Sequence, residues 1–469
     1  MRYGKVTDEV IKKLKDIVGE RYVITDRDAR EAFSIDEVAD KRYARMPDVI
    51  VKPRTAEEIA EIMKLANKYR IPVTPRGAGS GLSGGAIPVY GGIVISFERM
   101  NKILEIDREN LTVTVEPGVI TNDIQEAVRK YGLFYPGYPM SVESCTIGGN
   151  VAENAGGGTA VKYGVTSDYV MGLEVVLPTG EIIRLGGKRR KDVVGYDLIH
   201  LFIGSEGTLG IFTKITLKLL PLPAHRAALL VPFETLEKAI DTVPKIMVES
   251  KIIPTGLEFM DKPSVKAAEK YLNTRIPNDD AEAHLIIEVD GFDKESVERQ
   301  YESVGQMCLD NGAIEVYVAD NPLTREKIWK IRRSIPEALK VYHPEQSLED
   351  IVVPISEIPK IVRKLREIAD EFGIPIPCYG HAGDGNIHAT PIKPENMTLR
   401  EWRRKLPKLL ERMYIETVKV GGTISGEHGI GSKRRKYIKI ALDEATIKLM
   451  RKLKRAFDPN NILNPGKIF

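Results

Sequence analysis

Cysteine is scarce: three residues, Cys145, Cys308 and Cys378, lie far apart in a chain of 469. That is too few for an all-cysteine iron–sulfur cluster and too dispersed for a disulfide framework, so a reduced, cytoplasmic protein is expected. Charge of one sign is missing as well. Sixty-nine Lys and Arg against 66 Asp and Glu leave a net +3, which provides no overall field for nucleic acid or a membrane surface. The two KRRK runs, Lys188 to Lys191 and Lys433 to Lys436, are read as solvated loops, at most rims for an anionic ligand, and no nucleic-acid partner is expected. No apolar stretch reaches the roughly 18 residues of a membrane span, so no transmembrane segment is expected. The early stretch VTDEVIKKLKDIVG has the spacing of an amphipathic helix, not of a signal peptide.

What is present is glycine, unevenly placed. Between residues 76 and 211 the chain passes through RGAGSGLSGGA, GGIVISF, TIGGNVAENAGGG and GSEGTLGI, beside β-branched runs such as LTVTVEPG. Without a Cβ, successive N–H groups can curl into a concavity that holds phosphate oxygens. RGAGSGLSGG lies closest to the G-x-G-x-x-G spacing but is followed by another glycine pair and not by a clear helix, so a Rossmann site is disfavoured. A helix at AEEIAEIMKLANKYR leads into IPVTPRG, and the alternation of strand and helix signals continues to about residue 222. The stretch KITLKLLPLPAHR, with prolines at 221 and 223, reads as a boundary.

Beyond the boundary the order changes. AALLVPF, a helix through LEKAIDTVPKIMVES, GLEFM, HLIIEVDGF, a helix through KESVERQYESVGQMCL, and AIEVYVA spell β-α-β-β-α-β, the split βαβ arrangement with one antiparallel sheet under helices. A further helix, SEIPKIVRKLREIADEFG, leads to GHAGDGNIH at 380 to 388. Histidine is rare here, seven in the whole chain, and two of the seven bracket an Asp-Gly turn. In a helix or a single strand His381 and His388 could not meet. In a hairpin turning at Asp384-Gly385 they face each other, with Cβ atoms roughly 4.5–5.5 Å apart, close enough to share a metal ion. The alternative is a hairpin with incidental histidines.

Taken in this order, the segments resemble the flavoproteins of the vanillyl-alcohol-oxidase/PCMH type, in the branch of D-lactate dehydrogenases, the glycolate oxidase flavin subunit and D-2-hydroxyglutarate dehydrogenases. PRGAGSGLSGG is similar to the pyrophosphate loop, TIGGNVAENAGG and GYDLIHLFIGSEGTLGI to other flavin-binding segments, and GHAGDGNIH with GEHGIG to the active site of the cap domain. The resemblance covers nearly the whole chain. It implies an α+β fold: a PCMH-type FAD-binding domain at 1–222, a ferredoxin-like (split βαβ) cap domain for substrate and metal at 223–412, and a helical C-terminal segment at 413–469 that completes the active site and the FAD domain. FAD contacts are implied at Pro75, Arg76, Gly77, Ala78, Gly79, Ser80 and Gly81, at Pro139, Ser141, Thr146, Gly148, Gly149, Asn154, Gly156 and Gly157, and at Glu206, Gly207, Ile211 and Asn464. Some relatives bind FAD covalently through a histidine in the pyrophosphate loop. Ser80 stands at the matching position, so FAD is expected to be non-covalent.

The same resemblance makes Glu427 the third metal ligand beside His381 and His388. Two imidazoles and a carboxylate suit Zn²⁺ with an open position, and the same donors hold Fe²⁺ or Mn²⁺. His428 is implied as general base and Arg332, in WKIRRSIPEAL, as the clamp on the substrate carboxylate, with Arg333 the neighbouring alternative. The implied activity is oxidation of a small D-2-hydroxy acid, D-lactate or glycolate, with hydride passing to the flavin. Ala389-Thr390 and Pro336 depart from the hydroxyglutarate branch and make a dicarboxylic substrate less expected. Alternatives are a flavin subunit within an electron-transfer complex and a non-redox flavin enzyme resembling alkylglycerone-phosphate synthase. The electron acceptor, an electron-transfer flavoprotein, an iron–sulfur subunit or a quinone, is not named by the sequence, and any membrane association would run through such a partner.

Overall fold

Thr55 starts the helix expected at AEEIAEIMKLANKYR, which forms as Ala56–Tyr69. Its hydroxyl accepts from Glu58 N, satisfying an amide that a helix start leaves orphaned. Ile59, Ile62, Met63 and Ala66 repeat at i, i+3, i+4 and i+7 and make one fully buried stripe. Arg70, left-handed at φ 52°, ends the helix. The stripe shares a core with a sheet in the order Val23–Ile24, Val49–Val51, Ile93–Ser96, Val73–Arg76, whose last three strands are parallel. Truncating Ile59 or Ile62 to Ala should destabilise by about 2–5 kcal/mol.

The computed structural model describes residues 3–469. They form two compact units: the first takes the chain up to Gly156, Val165–Leu222 and Glu427–Phe469, and the second takes Gly157–Gly164 and Pro223–Gly426. Besides the sheet above, the first unit has an antiparallel sheet in the order Ile103–Asp107, Thr112–Val115, Ile211–Lys218, Val170–Val176, Ile182–Gly186. The chain's last residues return to the first sheet: Val73 N donates to Ile462 O and Asn464 N donates to Val73 O, each at 2.7 Å.

The second unit is built on seven strands in the order Tyr317–Ala319, His225–Phe233, Ala283–Gly291, Gly256–Asp261, Cys378–His381, Asn386–Ala389, Glu349–Val352. The first four, all antiparallel, reproduce the expected split βαβ order. Two helices were not anticipated: Lys262–Leu272, which starts at the Asp261 cap directly after Gly256–Asp261, and Leu399–Lys419. Parity assigns the residues to the two faces. Ala227 and Val289 are paired and pack on Val297 of the helix Lys294–Asp310. Residues of the other parity, Glu258, Ile286 and His381, are mutual register partners and so share the opposite face.

Two expectations need correction. A boundary at 412/413 would cut the continuous helix Leu399–Lys419, which belongs wholly to the second unit; a helix is a cooperative element, and the polar residues around Pro407 concealed its length. The second basic run is solvated only in its latter half, at Arg435 and Lys436. Lys433 and Arg434 are buried, and Arg434 Nη1 donates to Gly429 O at 3.1 Å. Among the described residues no helix is long and apolar enough to cross a membrane.

Candidate functional site

The histidine hairpin forms, but not in the expected register. Tyr379, not His381, pairs with His388, and the turn takes the four residues from Ala382 to Gly385. Asp384 Oδ1 accepts from Asn386 N at 3.2 Å and Gly385 adopts φ 85°, so the Asp-Gly pair does shape the turn, one step later than a two-residue loop would place it. The register shifts by two residues, an even number, so both histidines keep the same face. Their ring centroids lie 5.4 Å apart at 84°. They are diagonal neighbours, still within reach of one ion.

Register extends this face sideways. His381 pairs with Glu258 on one neighbouring strand, and His388 pairs with Asp350 on the other. All four are nearly or fully buried. His381 Nδ1 lies 2.6 Å from Glu258 Oε1, so a metal would be taken through Nε2, with the imidazole oriented by a carboxylate. Glu258 Oε2 lies 2.8 Å from Arg332 Nη2, and the Arg332 guanidinium carbon sits 4.9 Å from the centroid of the Tyr379 ring. Burial by itself would raise the Glu258 carboxyl; the charges of His381 and Arg332 outweigh it and hold the group below its ordinary range. Asp350 is anchored by Asn386 Nδ2 at 2.6 Å, Ser425 Oγ at 2.8 Å and Gly426 N at 3.0 Å, and it offers an oxygen within 4.8 Å of a His388 nitrogen. Imidazoles and carboxylate on one buried face suit a divalent cation. Of the two neighbouring arginines, Arg332 is 1 % exposed and faces this cluster, whereas Arg333 pairs with Glu326 at the surface.

In the first unit the glycine loops converge. Pro75 and Arg76 end the strand Val73–Arg76, and Gly77 to Gly81 turn away from it. A Cβ on Gly77 would lie 2.2 Å from Thr146 Oγ1, and Gly149 faces the same oxygen. Gly148 leaves no room beside Pro117, and Gly207 closes on Pro75. Asn464 Nδ2 donates to Gly85 O and Glu206 O. Arg76 Nη1, Ser83 Oγ, Thr146 Oγ1 and Ser205 Oγ are buried, can each donate and have no hydrogen-bond partner within the protein. Buried polar groups are nearly always paired, so this set fits a polyoxygen ligand such as a pyrophosphate. The residues therefore fit the diphosphate of FAD.

Other implied contacts have structural duties. Asn154 is the left-handed cap of the helix Ile147–Glu153, and its Oδ1 accepts from Ser167 N. Ile211 packs in the core, Ser141 is exposed in a turn with Pro139 nearby, and Gly157 begins the segment that packs with the second unit. In GEHGIG, His428 Nε2 is 3.4 Å from Glu427 Oε1, and a Cβ on Gly156 would sit 3.5 Å from Glu427 Oε2.

Sequence reading missed Glu258 and Asp350. For Glu258 a signal exists: an acid in the middle of the apolar strand GLEFM, where a charge is tolerated only if paired. Its partner lies 123 residues away and could not be named.

Comparison with known proteins finds two family matches along the chain. The family described as FAD binding domain matches residues 47–186, and the family described as FAD linked oxidases, C-terminal domain, matches residues 222–468. The glycolate oxidase subunit GlcD of Bacillus subtilis is 43% identical, over 99% of this chain and 97% of its own. A D-lactate dehydrogenase of Anaerostipes hadrus is 41% identical, over 100% and 98%. Among solved structures, p-cresol methylhydroxylase superposes with a TM-score of 0.81 at 19% identity, over 98% of this chain and 96% of its own, a likeness of fold.

Proposed function

We propose that this chain, which belongs to the family of FAD-linked oxidases, oxidises a small D-2-hydroxy acid, D-lactate or glycolate, to the 2-oxo acid, using non-covalent FAD and one divalent metal. Bound FAD supplies a two-electron acceptor, and the metal, Zn²⁺ or else Fe²⁺ or Mn²⁺, supplies a Lewis acid. His381 and His388 would hold the metal, with Glu427 carried over from the family resemblance as the third ligand. Arg332 binds the substrate carboxylate, by two hydrogen bonds that a lysine could not imitate. His428 accepts the proton of the hydroxyl. Gly77, Gly79, Ser80 and Thr146 would hold the diphosphate of FAD.

One observation carries the reading: the two oxygens of Glu258 engage His381 and Arg332. A 2-hydroxy acid carries its hydroxyl and its carboxylate on adjacent carbons. A metal-binding imidazole and a guanidinium held by one carboxylate match that pair of groups. The names of the relatives support the same substrate class. The word subunit in one of those names supports a second reading, in which electrons leave through a partner such as an electron-transfer flavoprotein, an iron–sulfur subunit or a quinone.

The test is anaerobic flavin reduction by a panel of D- and L-hydroxy acids, with metal analysis of the same sample. Bleaching by D-lactate or glycolate and about one metal per chain are expected. A flavin that no hydroxy acid bleaches would overturn the proposal.

A further inference from the structure

Glu206 occupies a strained position in the first unit. Its φ is 52°, in the left-handed region that side chains avoid, and Gly207 follows at φ 63°. The backbone is gripped on both sides: its N–H donates to Ala152 O and its carbonyl accepts from Asn464 Nδ2, each at 2.8 Å. The carboxylate is buried and both oxygens are engaged. Oε1 accepts from Ile430 N and Oε2 from Gly431 N, each at 2.7 Å. Those two amides come directly after His428-Gly429. Gly429 itself, at φ 80°, is wedged between two acids: a Cβ there would lie 2.1 Å from Glu153 Oε2 and 3.1 Å from Glu206 Oε1.

Two successive N–H groups aimed at one anion form the concavity that elsewhere receives a phosphate. Here a side chain of the protein fills it. We propose that Glu206 is a positioning residue that fixes the main chain after His428, and with it the direction of the imidazole, and is not a contact to the cofactor. This rests on the reading of His428 as proton acceptor. The electrostatics agree. Burial raises Glu206, opposed only in part by the amides of Ile430 and Gly431 and the charges of Lys467 and Arg434; Glu153 is pushed well up by burial and by Glu206 itself.

The experiment is a double-mutant cycle on the FAD- and metal-loaded enzyme: parent, Glu206→Gln, His428→Ala and the double variant, followed by anaerobic flavin reduction with D-lactate. In Glu206→Gln the amide NH₂ meets a backbone N–H, donor against donor, so one of the two bonds is lost. A rate loss on the order of 10²-fold is expected, the scale of a misplaced catalytic group, with KM, FAD content and metal content unchanged. In the His428→Ala background the same change should slow the reaction no further. Equal slowing in both backgrounds, or loss of FAD, overturns the inference in favour of a cofactor contact. Parental speed of Glu206→Gln beside a slow His428→Ala overturns it and leaves the function intact. A His428→Ala that reduces flavin at the parental rate removes the base assignment itself. If Glu206→Gln does not accumulate, amide exchange of the parent decides: Ile430 and Gly431 should be protected, and exchange at the rate of an open loop overturns the proposal.

Discussion

His381 Nδ1 lies 2.6 Å from Glu258 Oε1, an imidazole and a carboxylate brought together from strands 123 residues apart. The second oxygen of that carboxylate holds Arg332. Glu258→Gln should therefore weaken metal binding by roughly 10–100-fold, the usual consequence of losing the group that orients a ligand. It should also lower stability by up to about 3–5 kcal/mol, because Arg332 is left as a buried charge without its counter-ion. Metal titration and thermal melting measure the two effects separately; unchanged metal affinity would detach Glu258 from the site.

His381→Ala and His388→Ala should each lose the metal and most turnover while keeping the flavin, since the glycine loops lie in the other unit. Metal analysis beside the visible spectrum reads both. Normal metal content in both variants would refute the hairpin as a metal site.

Purified protein should be yellow, and acid or heat should release FAD, because Ser80 cannot form a histidine linkage. Gly79→Val should abolish FAD retention: φ is 75° there, and a Cβ would strike the Arg76 guanidinium. Flavin that stays with denatured chain, or full FAD content in the variant, would contradict these assignments.

Stability should fall in mild acid through His284. This residue is wholly buried in the strand Ala283–Gly291, and burial lowers its pKa from 6.5 to about 4. The folded state then binds fewer protons than the unfolded state between those values. Its contribution is full above about 6.5 and is lost as pH falls towards 4, amounting to about 2–3 kcal/mol. Melting temperatures of the parent and of His284→Met at pH 7 and 4.5 test this. The variant should show the smaller acid loss, and an equal loss would assign the effect elsewhere.

Much of this protein is local and was legible as such. The stripe Ile59, Ile62, Met63, Ala66 announces its helix because helical period is a property of neighbours in the chain, and the β-α-β-β-α-β order follows from the same periodicities. The face of the hairpin was legible too. A strand alternates with period two, so any even error in register keeps His381 and His388 together.

Register itself belonged to the tertiary structure. A two-residue loop at Asp384-Gly385 or a four-residue loop from 383 to 386 would each pair His381 with His388; the observed loop from 382 to 385 goes with the pairing of Gly256–Asp261 to Cys378–His381 on one side and of Glu349–Val352 to Asn386–Ala389 on the other. The choice between Arg332 and Arg333 was likewise open, since neighbours on a helix differ by about 100° and only packing says which one is inside. The partners of Glu258, Asp350 and Glu206 could not have been named from the chain. The work of each acid depends on partners more than 30 residues away that only folding brings within 3 Å. The sequence by itself determined the elements, the cofactor class and the two histidines; the tertiary structure decided which carboxylates aim them, because a hydrogen bond is set by distance in space and not along the chain.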